Sequence, residues 1–238
     1  MKIESKDNLK FKNLKKLKLK KYRDQSNEFL VYGETLVNLA LEKGIVKELY
    51  TTNPNKKGIL LTKKLMNDLS MTKTPYDIVA LCKQVNLPKT SNKILMLDDI
   101  QDPQNVGALL RSALAFSFDH IILSLKCADI YNDKTIRASG GALFDLYIER
   151  TDLIKDILKY KKRGYLIYGA DAHESGTKIN KNSKTILILG NEGKGISDNI
   201  KPLIDGFINI KTKEVESLNV SVAGSILMYE WSVLRWSL

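Results

Sequence analysis

The sequence predicts an α/β protein of two domains, the larger one built on a parallel sheet. Three features of the chain lead there: apolar runs of three or four residues that alternate with helix-periodic segments from residue 94 onward, an abrupt change in charge near residue 90, and an aperiodic polar stretch between the two regions. Apolar runs without polar alternation are strands buried on both faces, which is how a parallel sheet covered by helices reads. The division is therefore a small basic α/β domain over residues 1–85, a linker over 86–93 and a sheet domain over 94–238.

In the first domain a basic helix is expected to about residue 22, with Phe11, Leu14 and Leu17 inward. A strand follows over 28–32, then a helix over 34–43 that keeps Leu36, Val37, Ala40 and Leu41 on one side. A strand at 46–50, a Lys-rich helix around 61–69 and a closing strand at 78–81 complete it. The linker Asn86-Leu87-Pro88-Lys89-Thr90-Ser91-Asn92-Lys93 is polar, holds a proline and has no period. Beyond it, 94–97 reads as a strand, and Val106, Leu109, Leu110 and Ala113 keep helical spacing. Strands are expected at 121–123, 166–168, 186–189 and 207–210, with a helix at 152–161. The long terminal helix is expected over 218–234, with Ser217 as its N-cap. No repeat of 20 to 50 residues is visible.

The 238 residues carry a net charge of +11, and 43% of them are apolar, which excludes collagenous, low-complexity and wholly disordered classes. The excess is one-sided. Residues 1–90 hold 19 basic and 9 acidic groups, whereas residues 91–238 hold 19 and 18. Ten of the basic residues fall within the first 23. Such a run is either a solvated helix face or a phosphate-contacting patch, and its one-sidedness favours nucleic acid. No apolar run approaches the length of a membrane span. Met1-Lys2-Ile3-Glu4 has no apolar stretch behind its basic residues, so no secretory leader is expected. Cys82 and Cys127 lie far apart, outside any disulfide framework, which fits a reducing, cytoplasmic location.

Several chemistries are excluded by spacing. Gly190-Asn191-Glu192-Gly193-Lys194-Gly195 follows a strand but lacks the GxxxxGK[ST] pattern, and no GxGxxG opens a helix after the first strand. His120 and His173 never approach the cysteines at metal-ligand spacing, so no metal site is expected. Asp171-Ala172-His173 lacks the GxSxG elbow that would supply a serine nucleophile.

What remains is three loops placed after predicted core strands, where open α/β sheets gather ligands. They hold Asn-Val-Gly-x-x-x-Arg at 105–111, Leu-Gly-Asn-Glu-Gly-x-Gly at 189–195 and Ser-Leu-Asn-Val-Ser-Val-Ala at 217–223. Singly, each reads as a cap or a turn. In this order and at these distances the set resembles the three motifs of the SpoU (TrmH) family of RNA ribose 2′-O-methyltransferases, in the SPOUT superfamily. The likeness covers about residues 94–236. The segment at 134–142 is similar to a further family segment, and the first 85 residues more loosely resemble the family's RNA-substrate-binding domain. Two departures stand out: Ile210-Lys211-Thr212 replaces the usual Ile-Pro-Met, and Tyr32 stands where a Glu is usual.

The resemblance implies a sheet whose C-terminal segment is threaded as a trefoil knot, a homodimer, S-adenosylmethionine as methyl donor, and RNA as substrate, with ribosomal RNA favoured over transfer RNA. It implies donor contacts at Leu189, Gly190, Gly195, Ile210 and Leu218, largely through main-chain atoms. Arg111, Asn105, Glu192, Ser217 and Asn219 are its candidate catalytic residues. The family proposal makes the Arg111 position the base that takes the 2′-proton. A guanidinium gives up a proton only with great difficulty, so fixing a phosphate and stabilising a developing alkoxide is the better chemistry for it. Glu192 is expected to hold a loop by accepting hydrogen bonds rather than to act as a base. Ser217 and Asn219 would sit at a helix N-terminus, which favours an anion. Arg137 is read as facing RNA or a dimer partner, and Tyr229, Trp231 and Trp236 as core or dimer packing.

Overall fold

The computed structural model describes residues 1–72, 74–84, 88, 91–172, 174, 176 and 184–233. Chain contacts divide it into two compact units, one of residues 1–85 with 129–144 and the other of residues 86–128 with 145–238. The segment 129–144 thus packs with the N-terminal unit, although it lies well beyond the polar stretch at 86–93. Half of that stretch falls outside the described residues, as do His173 and Trp236.

The first unit opens with β1 (Lys2–Ile3), α1 (Leu9–Lys16), α2 (Lys20–Ser26), β2 (Glu28–Tyr32) and α3 (Glu34–Glu42). It continues with β3 (Val46–Thr51), β4 (Ile59–Leu61), α4 (Lys63–Leu69) and β5 (Ile78–Lys83). The strands form one mixed sheet in the order β1-β4-β3-β5-β2. Phe11, Leu14 and Leu17 do turn inward and join Leu30, Tyr32 and Val79 in its core. The single basic helix expected to residue 22 is instead two helices, broken at 17–19. Leu17 stays αR while Leu19 is extended. The reason is visible in the acceptor: the Leu17 carbonyl takes a 2.7 Å bond from Arg23 Nη1. A side chain thus occupies the group that a continuing helix would use. β1 and β4 are too short to carry a readable period; β1 forms by pairing parallel with β4, which pairs parallel with β3 as well.

The second unit comprises β6 (Lys93–Leu97), α5 (Pro103–Ala115) and β7 (His120–Ser124), followed, after α6 (Asp133–Ser139) of the first unit, by β8 (Tyr147–Thr151) and α7 (Leu153–Lys161). The chain continues through β9 (Leu166–Ala170), β10 (Thr185–Leu189), β11 (Gly206–Ile208) and α8 (Val220–Val233). Its sheet is parallel throughout, in the order β11-β9-β10-β6-β7-β8. The chain leaves β6 toward β7 and β8, then crosses to β9 and inserts β10 between β9 and β6. Ile94, Met96, Ile186 and Ile188 point to the face covered by α7. The alternate residues, Leu95, Leu97, Leu187 and Leu189, are equally buried on the other face. There α5 and α8 pack so closely that a Cβ on Gly224 would lie 2.5 Å from both Leu109 Cδ2 and Leu189 Cδ1. β8 was not expected from the sequence: Tyr147-Ile148-Glu149-Arg150-Thr151 is an edge strand with a single buried residue.

Candidate active site

The site forms where β6 and β10 end side by side. Leu97 and Leu189 are register partners, and the pairing runs one step further because Asp98 N–H donates to the Leu189 carbonyl at 2.9 Å. The two chains then part in opposite senses, the arrangement that opens a crevice at the carboxyl edge of a parallel sheet.

The loop after β10 is folded on itself. Asn191 and Gly195 exchange two backbone hydrogen bonds of 2.9 Å. Asn191 Oδ1 accepts from the N–H groups of Gly193 and Lys194, and its Nδ2 donates to the Asp99 carbonyl at 2.8 Å. Gly195 adopts φ +66°, and a Cβ on Gly190 would come within 2.2 Å of Gly195 C and Ile196 N. Only glycine fits at Gly190, since the obstruction is backbone and cannot swing away. Asp98, buried at the end of β6, closes the loop from below by accepting from Ser197 N–H at 2.8 Å.

Glu192 reaches from this loop to the other. Its carboxylate accepts from the backbone N–H of Gln101 and Asp102, at 3.4 and 3.3 Å, and from Asn105 Nδ2 at 3.0 Å. Burial alone would push its carboxyl up. The bonds from Asn105 and the backbone outweigh that effect and hold it below the usual range. Asn105 lies in the first turn of α5, after the Asp102 cap and Pro103, and is 8% exposed. Its Oδ1 accepts from Asn219 Nδ2 at 3.1 Å.

Asn219, not Ser217, caps the terminal helix. Its Oδ1 accepts from Ser221 N–H at 2.9 Å and Val222 N–H at 3.4 Å, and the helix begins at Val220 rather than 218. The expected Ser217 cap fails because the cap must lie next to the first helical residue to reach the second and third N–H groups. Ser217 is exposed, two residues upstream.

A cavity of about 520 Å³ opens among these loops, lined by Leu189, Gly190, Glu192, Gly195, Ile210, Ser217, Leu218 and Asn219 together with Ala170, Asp171, Ile208 and Ala223. Eight of the ten residues expected from the sequence therefore face one space. Asn105 does not line it but bonds to Glu192 and Asn219, which do. Arg111 is not among the lining residues. It stands exposed on α5, six residues beyond Asn105, and its side chain forms no hydrogen bond or ion pair with the described residues. Asp98, Asn191 and the Ser112–Ser225 pair, whose hydroxyls lie 2.7 Å apart between α5 and α8, had no expected role. The position of Asp98 at a strand's carboxyl end was the available signal. Arg137 pairs with Asp133 at 2.9 Å on its own helix. Trp231 is buried edge-on to Phe118 and Tyr168, while Tyr229 remains 53% exposed.

A volume of this size, with glycine walls and an apolar floor, suits a nucleoside-sized ligand. Fold and site together define an open α/β protein with a small-molecule cleft at the carboxyl edge of its parallel sheet. The chain belongs to the SpoU rRNA methylase family, whose model matches residues 92–229. An MRM3-like substrate binding domain matches residues 8–80. Among curated relatives, the chain is similar to the 23S rRNA (guanosine(2553)-2′-O)-methyltransferase RlmP of Bacillus subtilis, with 35% identity over 95% of this chain and 97% of that one. It is also 37% identical to an uncharacterized tRNA/rRNA methyltransferase of Borreliella burgdorferi, over 75% of this chain and 79% of that one. Among solved structures, a putative RNA methyltransferase of the TrmH family from Porphyromonas gingivalis superposes with a TM-score of 0.79 at 29% identity, covering 93% and 96% of the two chains. The fold is shared with AviRb of Streptomyces viridochromogenes, solved with AdoMet, at a TM-score of 0.84 and 24% identity over 97% and 99%. Among the described residues no helix is long and apolar enough to cross a membrane, and no group of three His, Cys, Asp or Glu could hold a metal.

Proposed function

We propose that this protein methylates a ribose 2′-hydroxyl of ribosomal RNA with S-adenosylmethionine. The observation that carries the reading is the continuous chain of hydrogen bonds Asn219–Asn105–Glu192, which ties all three motif loops around a cavity whose wall admits only glycine. The cavity suits the donor chemically. Backbone at Leu189, Gly190, Ile210 and Leu218 offers hydrogen-bonding groups to the adenine and ribose, and Ile208, Ala223 and Leu227 supply apolar surface. The bound donor supplies an electrophilic methyl on a sulfonium.

The chain's own residues do the rest. Glu192 already accepts four hydrogen bonds, the fourth from Asn191 Nδ2 at 3.5 Å, and is held ionised, so it clamps the 99–105 loop and is a poor proton acceptor for an alcohol. Asn105 transmits the position of that clamp to Asn219 at the start of α8. Arg111, whose side chain is free of protein partners among the described residues, fixes a substrate phosphate and stabilises negative charge developing on the 2′-oxygen. Ser217 and Asn219 line the same cavity and contact the substrate or the donor there.

The same reading includes a homodimer, supported by Tyr229 and Val222, which α8 leaves about half exposed. It includes a trefoil knot in the C-terminal segment, supported by the SpoU family to which the chain belongs. It also includes a cytoplasmic location, where ribosomal RNA is found, and residues 86–93 as the link between a substrate-binding and a transferring domain. The decisive experiment is methyl transfer from labelled donor to total RNA of a strain lacking the gene, with wild type and Arg111→Ala side by side and the 2′-O-methyl sites mapped. Label on ribosomal RNA with wild type alone is the expected result. Label only on transfer RNA would change the substrate, and no label from a folded protein that binds RNA would leave a binding function.

A further inference from the structure

The basic run of the first 23 residues is mostly neutralised by the protein itself. Lys2 pairs with Glu4, Lys6 and Lys15 with Asp68, Lys10 with Glu48, Lys12 with Asp7 and Lys20 with Asp24. Lys18 donates to the carbonyls of Asp68 and Ser70, and Arg23 is buried against Asp129. Within this run and among the described residues, only the side chains of Lys16 and Lys21 form no ion pair or hydrogen bond. Both hold their ammonium 5.9 Å from the centre of one ring, that of Tyr22.

These three residues flank the break between α1 and α2, where side-chain hydrogen bonds hold the backbone. Arg23 Nη1 holds the Leu17 carbonyl at 2.7 Å, Ser26 Oγ donates to the Tyr22 carbonyl at 2.9 Å, and Gln84 Nε2 donates to the Arg23 carbonyl at 3.3 Å. Beside them Leu19 is 61% exposed. Two unpaired cations over one half-buried ring, on a fixed backbone next to an exposed apolar side chain, match what an unstacked nucleotide needs. The ring offers a stacking face, and the ammoniums meet the phosphates on either side.

We infer that Lys16, Lys21 and Tyr22 form a contact site for a single-stranded segment of the RNA substrate, its base on Tyr22 and its phosphates on the two lysines. This rests on the RNA methyltransferase reading above and names the substrate contacts of its N-terminal unit. The paired lysines of the same run are bystanders.

The test is salt-dependent binding of the full-length protein to a fluorescent single-stranded 20-mer of uridylate. Each of Lys16→Ala and Lys21→Ala should reduce the slope of log affinity against log salt by about 0.7, and the double variant by about twice that. Lys10→Ala, which removes a lysine already paired with Glu48, should leave the slope unchanged. Tyr22→Ala should weaken binding about 5- to 150-fold, whereas Tyr22→Phe should bind like wild type and controls for folding. Unchanged slopes for Lys16→Ala and Lys21→Ala, or an equal loss in Lys10→Ala, overturn the inference. Methylation of ribosomal RNA by the same wild-type preparation separates the two readings. Label with unchanged slopes removes this contact site and leaves the activity, and absence of both label and RNA binding removes both.

Discussion

Asn105 Nδ2 lies 3.0 Å from Glu192 Oε1, which joins the first turn of α5 to the loop after β10 across 87 residues of chain. The amide is used from both ends, since its oxygen accepts from Asn219. An aspartate at this position would lose the donor to Glu192 and set two carboxylates against each other.

Asn105→Asp should therefore destabilise the second unit more than Asn105→Ala does. The alanine variant, which leaves buried polar groups without partners, should cost about 1–3 kcal/mol. Thermal melts of the two variants at neutral pH check the order. A less stable alanine variant would mean that Glu192 is not ionised in the folded protein.

Gly190→Ala should abolish donor binding. The added methyl meets backbone atoms of Gly195 and Ile196 at 2.2 Å, so the loop that walls the cavity must move. Calorimetric titration with S-adenosylmethionine should show at least a hundredfold weaker binding. Gly193→Ala, whose Cβ would meet only Asn191 Oδ1 at 3.8 Å, should bind nearly normally.

Arg111→Ala and Arg111→Lys should both reduce methyl transfer by about 10²–10³-fold, the loss typical of removing a group that stabilises transition-state charge. Donor affinity should be unchanged, because Arg111 does not line the cavity. Single-turnover rates alongside donor titrations separate the two effects.

Stability should depend on acid through Glu192. Its folded pKa lies below its unfolded value, so the contribution is fully present above the ordinary glutamate range near 4.3 and is lost as pH falls through the folded pKa. Glu192→Gln should flatten that part of the stability profile below about pH 4.3. It should leave no new acid limb in the methyl-transfer rate near neutrality, as expected of a residue that holds a loop. A rate limb that disappears with Glu192→Gln would assign it a proton-transfer role instead.

Much of this molecule is legible in its sequence, and the illegible parts share a cause. Strands β6, β7, β9 and β10 are continuous apolar runs because both faces are covered, and such runs stand out in any reading of the chain. β1, β4 and β8 are short or lie at a sheet edge, so their pairing comes from neighbours rather than from period. The break at 17–19 depends on Arg23 taking a carbonyl, and the cap at Asn219 depends on where α8 starts, neither of which local composition specifies.

The same division holds at the site. Motif residues at Leu189, Gly190, Glu192, Ile210 and Leu218 were identifiable in the chain because their types and spacing are unusual, and they do meet around one cavity. That Asn105 bridges Glu192 and Asn219, that Arg111 stands outside the lining, and that only the Lys16 and Lys21 side chains of the basic run lack an acidic or carbonyl partner among the described residues were decided by the tertiary structure alone. The sequence by itself determined which segments are apolar, which turns need glycine and where charge accumulates. These are properties of a residue and its near neighbours. Hydrogen bonds and ion pairs between segments dozens of residues apart require the chain to be folded, and the fold chose which polar groups are satisfied and which remain for a ligand.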